Sequence, residues 1–408
     1  MTEEALPAFA AYGIELEYML VDRASLAVRP MADELLKTEA PEASWEVTHG
    51  DLGWSQELAL HVIEVKNLRP AADLADLAVK FRREVAAVNR RLEPLGARLM
   101  PGGAHPWMNP AAETRLWPHA GGEVYRAYDR IFGCRRHGFA NLQSMHLNLP
   151  FAGDDEFARL HAAMRLVLPI LPSLAASSPI IGGTRAAWLD ARMAAYQSHQ
   201  MGYPATQGQV IPDTIGSISE YRDRVLEPMY REIAPADPEG ILRHEWLNAR
   251  GAIPRFDRNA IEIRVIDMQE CPMADLAIAA AAIAVIRALY EERPAGLAAQ
   301  HAMATQTLVA ILDACIRDAD AALIGDEEYL GLLGWHYGPC RGSELWRHLV
   351  HSSPLPRLWE APLQIMLEHG TLARRILSAL GPRPGHFQLD AVYRALCDCL
   401  AEGRLFVP

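Results

Sequence analysis

Glu15 and Glu17 stand two positions apart in YGIELEYML, the run from Tyr12 to Leu20. A strand repeats its side-chain direction every second residue, so Ile14, Leu16, Tyr18 and Leu20 face one way and Glu15, Glu17 and Met19 the other. Two carboxylates about 7 Å apart on one face repel, and burying them costs several kcal/mol unless a cation or partner compensates. A solvated outer face is the plain alternative.

Three further runs repeat the pattern. In HVIEVK, Ile63 and Val65 oppose Glu64 and Lys66. In LQSMHLNL, Leu142, Ser144, His146 and Asn148 oppose Gln143, Met145, Leu147 and Leu149. In IEIRVID, Ile261, Ile263 and Val265 oppose Glu262 and Arg264. Four strands that each pair an apolar face with acid, imidazole or guanidinium make a sheet that rests on helices and presents a polar concave surface. Glu15, Glu17, Glu64, His146 and Glu262, with Glu57, then form oxygen and imidazole ligands suited to Mg²⁺ or Mn²⁺. Arg264, and Arg250 and Arg255 upstream in NARGAIPRFDRN, add guanidinium groups. Carboxylates and arginines in one cleft can hold metal-bound polyphosphate and stabilise a phosphoryl group in transfer. Each residue also has a structural reading: His146 as a satisfied core histidine, Arg264 as the partner of Glu262, Asp267 as a helix cap.

The elements that must position these residues follow from periodicity. Glu57 to Asn67 reads as a strand, and Asp73 to Leu92 as an amphipathic helix with Leu74, Leu77, Phe81, Val85, Val88 and Leu92 on one face. ARLMPGGAHPW reads as a strand entering a loop, and Asp154 to Ser177 as a helix with Asp154 or Asp155 at its N-cap. Ala260 to Asp267 is a strand and Ala274 to Glu292 a long helix, after which the chain is mostly helical. No repeat or low-complexity linker interrupts it. The layout predicts an α+β fold in a single catalytic domain over 1–408, sheet-rich over 1–270 and mainly helical over 271–408.

Composition narrows the chemistry. A net charge of −12 over 408 residues argues against a nucleic-acid binder, and lysine occurs only at Lys37, Lys66 and Lys80, so phosphate recognition must rest on arginine forks. Six cysteines without a paired framework, and no signal peptide, predict the cytoplasm. The uncharged runs Leu166 to Thr184 and Leu276 to Ile286 read as buried helices: prolines break the first and the second is too short to span about 30 Å of hydrocarbon. P-loop, dinucleotide and nucleophile-elbow signatures are absent, and HEWLN lacks the second histidine of a zinc protease helix.

YGIELEYML resembles the G-[IV]-E-x-E strand that opens the glutamate-cysteine ligase type 2 and carboxylate-amine ligase family. IEVKN, GGAHPW, SMHLNL, LAASSPI and RFDRNAIEIRVID follow in the family's order, with LEHGTLARRIL a weaker continuation. The resemblance implies a glutamine synthetase-like fold, an antiparallel half-barrel backed by helices. It assigns Glu15, Glu17, Glu57, Glu64, His146 and Glu262 to metal, and Arg250, Arg255 and Arg264 to phosphate or substrate, with Arg255 and Arg264 catalytic. Two departures fall at the substrate end: Asn148 stands where the family pattern has a second histidine, and EVKN ends in asparagine in place of threonine. The expected activity is ATP- and Mg²⁺-dependent joining of a small carboxylic acid, such as glutamate, to an amine through an acyl-phosphate. No nucleic-acid or membrane partner is expected, and self-association is left open. Phosphorylation of a guanidino group, or a regulator that binds nucleotide without turnover, are the alternatives.

Overall fold

The central strand of the protein is the one that carries the paired glutamates. A computed structural model describes residues 5–39 and 45–408. In it eight strands, β1 (Gly13–Asp22), β2 (Glu46–His49), β3 (Leu52–Gln56), β4 (Val62–Asn67), β5 (Ala97–Met100), β6 (Ser144–Pro150), β7 (Ala252–Arg255) and β8 (Ala260–Asp267), form one antiparallel sheet. Its order is β2-β3-β4-β1-β6-β8-β7, with β5 also on β1. The first half of β1 pairs with β6 and its second half with β5, so one strand organises three neighbours.

Alternation decides which face is buried. Ile14, Leu16, Tyr18, Ile63, Val65, Met145, Leu147, Leu149, Ile261 and Ile263 share one core with the helices α1 (Leu74–Leu92), α3 (Gly153–Val167) and α5 (Pro272–Tyr290) behind the sheet, while α2 (Gly122–Phe132) and α4 (Ala191–Tyr196) contribute to the opposite side. Asp73 caps α1, its side chain accepting from the Ala75 N–H at 2.8 Å. Among the described residues α5 is the one helix long and apolar enough to cross a membrane, and it is buried inside the protein. The last helices, α6 (Leu372–Leu380) and α7 (His386–Glu402), pack on Met19, Val21 and Met100 at the far end of the sheet.

Several boundaries differ from expectation for identifiable reasons. The strand expected from Glu57 begins at Val62, because residues 58–60 pair instead with the segment around Leu116. Neither aspartate caps α3: Asp154 and Asp155 lie in its first turn, Ala152 precedes it, and Asp154 Oδ1 accepts from Ile218 N. The helix expected to Ser177 stops at Val167 and becomes a 3₁₀ turn at Leu168–Ile170, where Pro169 and Pro172 prevent continuation. The hairpin of β2 and β3 and the edge strand β7, which tolerates Pro254 because it lies at an edge, were not apparent from periodicity.

Candidate active site

Register places the acids side by side. Glu15 lies opposite His146 on β6 and Lys66 on β4, Glu17 opposite Glu64, and Glu262 opposite Asn148. On β8 a bulge between Ile263 and Ile266 sets two residues, Arg264 and Val265, across from the single residue His146 of β6. Such a bulge bends the strand and re-aims a side chain, here the Arg264 guanidinium, back over Glu262. The result is a cavity of about 420 Å³ lined by Glu15, Glu17, Glu57, Glu64, His146, Arg255, Glu262 and Arg264. Glu57 joins from the turn before β4 rather than from a strand.

Acids and a hydroxyl surround His146. The Ser144 backbone N–H and hydroxyl both donate to Glu17 Oε2, at 2.6 and 3.0 Å. His146 Nε2 lies 3.1 Å from that hydroxyl and Nδ1 2.8 Å from Glu15 Oε2. A cation bound at one ring nitrogen would take the place of a proton there, since only the neutral imidazole is a ligand. Burial pulls its pKa down, but the Glu15 hydrogen bond and the charges of Glu17, Glu15 and Glu262 outweigh this and raise it to about 10. Burial and the Glu262 charge raise the Glu15 carboxyl, but the hydrogen bond and charge of His146, with Lys66, bring it below the ordinary range.

Glu262 is gripped from two sides. Arg264 Nη2 and Nε donate to Oε1 at 2.8 and 3.0 Å, and Arg255 Nη1 to Oε2 at 2.9 Å. Burial is thereby overcome, chiefly by Arg264 and then by His146 and Arg255, and the carboxyl falls to about 2. Glu64 has Lys66 Nζ at 3.0 Å and the Ser55 hydroxyl at 2.8 Å. Among the described residues Glu57 accepts only from the Leu58 N–H, at 3.3 Å. Burial, then repulsion from Glu64 and Glu17, hold Glu57 well above the carboxylate range, and burial likewise raises Glu17. This uneven compensation is what a divalent cation relieves. One ligand atom each from Glu15, Glu64 and His146, and from Glu17, Glu57 and Glu64, fall within 4.8 Å of one another in two groups that share Glu64. A set of carboxylate oxygens with a single imidazole fits a hard cation such as Mg²⁺ or Mn²⁺.

Two expected site residues stand elsewhere. Asn148 donates to Glu15 Oε1 at 3.3 Å without lining the cavity. Arg250 is not brought to the cavity: Nε donates to Asp213 at 2.8 Å and Nη1 to Asn248 Oδ1 at 3.1 Å. It touches the site through Asn248, whose carbonyl accepts from Arg264 Nη1 at 3.3 Å. Other lining residues escaped the sequence reading. Lys66, Ser144 and Arg258 lay within the quoted motifs, and Arg192 and Tyr196 carried the weaker signal of a shared face one helical turn apart. Tyr125 and Tyr128 share a face of α2, three residues apart, while Phe139, Gln200 and Trp246 come from other short helices and loops and had no signal of their own.

A half-barrel whose concave face gathers acids and arginines defines the class, a ligase scaffold with the glutamine synthetase-like fold. The chain belongs to glutamate-cysteine ligase family 2, whose profile matches residues 11–320. An uncharacterized protein from Archaeoglobus fulgidus is 29% identical over 93% of this chain and 95% of its own length. A Rubrobacter xylanophilus relative named "Putative glutamate--cysteine ligase 2-3" is 29% identical over 69% of this chain and 70% of its own. Among solved structures, glutamate–cysteine ligase from Francisella tularensis in complex with AMP superposes with a TM-score of 0.64 at 12% identity, covering 98% of this chain and 90% of that one. A bifunctional glutathione synthetase from Pasteurella multocida gives 0.59 at 13% identity, covering 97% of this chain and 52% of that one. At such identities the likeness establishes the fold.

Proposed function

We propose that the chain is an ATP-dependent carboxylate–amine ligase that activates a carboxylic acid, glutamate being the acid the family name suggests, as an acyl-phosphate and passes it to an amine with release of ADP and phosphate. The convergence of Glu15, Glu17, Glu57, Glu64, His146 and Glu262 with Arg255 and Arg264 in one cavity carries this reading. The two acid groups would hold Mg²⁺ or Mn²⁺, which when bound neutralises polyphosphate charge and polarises the transferring phosphoryl group. Arg255 Nε–H makes no hydrogen bond among the described residues, with Asp257 Oδ1 3.7 Å away, and is a donor available to a phosphate oxygen. Arg264, fastened by Glu262 and Asn248, stabilises charge developing in transfer without reorganising. Arg250 and Asn148 serve nucleotide and substrate indirectly, by holding Asn248 and Glu15. Six free, buried cysteines agree with a reducing cytoplasm.

Hydroxylamine in place of the amine tests the proposal. With glutamate or another correct acid, ATP and Mg²⁺, a hydroxamate should form in step with ADP. AMP and pyrophosphate would replace the acyl-phosphate with adenylation, and a stable phosphoguanidine would make the protein a kinase.

A further inference from the structure

We propose that the acceptor amine carries an apolar body, a ring or a branched chain, and docks in an aromatic corner of the cavity against Gln200; the inference rests on the ligase reading above. The cavity has two unlike walls. Its floor is the charged face of the sheet. Facing it are Tyr125, Tyr128, Phe139 and Trp246, each half-buried. Tyr128 packs against Trp246 at 5.8 Å and Phe139 at 6.1 Å between ring centroids, so three rings form one continuous apolar surface.

Gln200 gives this surface a polar anchor. It lines the cavity while only 2% exposed, and its Nε2 donates to the Leu247 carbonyl at 3.0 Å. Only the amide nitrogen can donate to a carbonyl, so that bond settles which end of the side chain is oxygen. The oxygen, Oε1, is buried and has no hydrogen-bond partner among the described residues. A buried acceptor without a donor costs about 1–3 kcal/mol, and the residue that carries it lines the cavity. An acceptor oxygen beside aromatic faces suits a primary amine with an apolar substituent.

The other reactants have places of their own. The acid's reacting carboxylate and the phosphates belong over the glutamates and arginines of the floor. Arg258, with a side chain 55% exposed and 3.9 Å from Glu15, marks the open margin where a bulky nucleotide can enter. The aromatic corner runs from the Glu57–Glu64 side, whose charges reach the Tyr125 hydroxyl, to Arg264, whose charge reaches that of Tyr128. It is the part of the cavity left for the amine.

With ATP, Mg²⁺ and the acid that yields hydroxamate, kcat/KM for benzylamine and isobutylamine should exceed that for ammonia and cysteine by about 10-fold or more, the scale of discrimination a few methylenes provide. Trp246→Leu and Phe139→Leu should each lower the ratio of benzylamine to hydroxylamine kcat/KM and leave KM for ATP in place. Nitrobenzylamine, without ATP or metal, should quench tryptophan fluorescence saturably in the natural protein and in Phe139→Leu, and less in Trp246→Phe. Preference for ammonia or cysteine, unchanged ratios in both leucine variants, or absence of quenching would overturn the inference. A rise in KM for ATP alone would give the corner to adenine and overturn it too. Failure of every acid to yield hydroxamate with ADP would instead strike the ligase reading, and quenching would still decide whether the corner takes an amine.

Discussion

Among the described residues Glu262 is clasped by two guanidinium groups, whereas Glu17 has Ser144 and Glu57 only a backbone N–H, and that asymmetry decides what each substitution does. Glu17→Gln keeps an acceptor for Ser144 and removes one negative charge from a repelling group, so the protein should fold at least as stably while metal-dependent ADP release is lost; circular dichroism with a coupled ADP assay checks both. Arg264→Lys retains charge but cannot span both Glu262 Oε1 and the Asn248 carbonyl with one rigid plane. Its turnover should fall about 10²-fold or more, as when other preorganised charge stabilisers are removed. Near-normal kinetics in this variant would make Arg264 a structural partner of Glu262. The glutamates and His146 were legible because strand parity displays a side chain's face directly in the sequence. Arg250 was not: it sits five residues before Arg255 in the same basic run, and nothing in that run reveals that Asp213 captures it.

Strand β8 shows how an element adds what parity leaves out. Simple alternation puts Glu262 and Arg264 on one face, yet the bulge after Ile263 resets the ladder so that Ile266 meets Met145 and Asp267 meets Ser144. Asp267 then accepts from Ser177 N and Ser178 Oγ, at 2.8 and 2.9 Å, and pairs with Arg192 Nε, binding α4 to the sheet end. It is a buried tether rather than a helix cap. Gly103 packs flat against it: a Cβ there would meet the Asp267 carboxyl carbon at 2.5 Å. Gly103→Ala should therefore displace a buried ion pair and cost about 3–5 kcal/mol in urea unfolding. Gly325→Ala, with nothing within 4 Å of its Cβ, should stay within about 0.5 kcal/mol. The helices behind the sheet were readable from their apolar spacing. The wall over the cavity was not, since α2, α4 and the turn carrying Trp246 are short segments whose facing depends on contacts distant in sequence.

At the scale of the whole molecule, buried contacts tie the helical end to the sheet. Arg375 on α6 pairs with the buried Glu270 just beyond β8 and donates to the Phe406 carbonyl at 2.6 Å, while Phe406 N donates to Glu270 at 3.1 Å. Buried imidazoles make the protein acid-sensitive. Burial lowers His61 and His105 from 6.5 to about 4, against hydrogen bonds to the Ala140 and Leu26 carbonyls. Above pH about 6.5 these rings are neutral in both folded and unfolded chains, and their stability is fully present; as pH falls toward 4 only the unfolded chain takes up protons. Each should withdraw roughly 3 kcal/mol across that window. Urea unfolding from pH 7 to 4 should show the decline, with a shallower slope in His61→Gln. The central claim, that this assembled cavity joins a carboxylate to an amine by phosphorylating it, is tested most directly by following the acid's own oxygen. With acid labelled by ¹⁸O in its reacting carboxylate, ³¹P NMR of the products should show one ¹⁸O in inorganic phosphate and none in ADP, because the oxygen that attacks the γ-phosphate leaves with it when the amine displaces it. Label in AMP, or amide formed with unlabelled phosphate, would contradict the account.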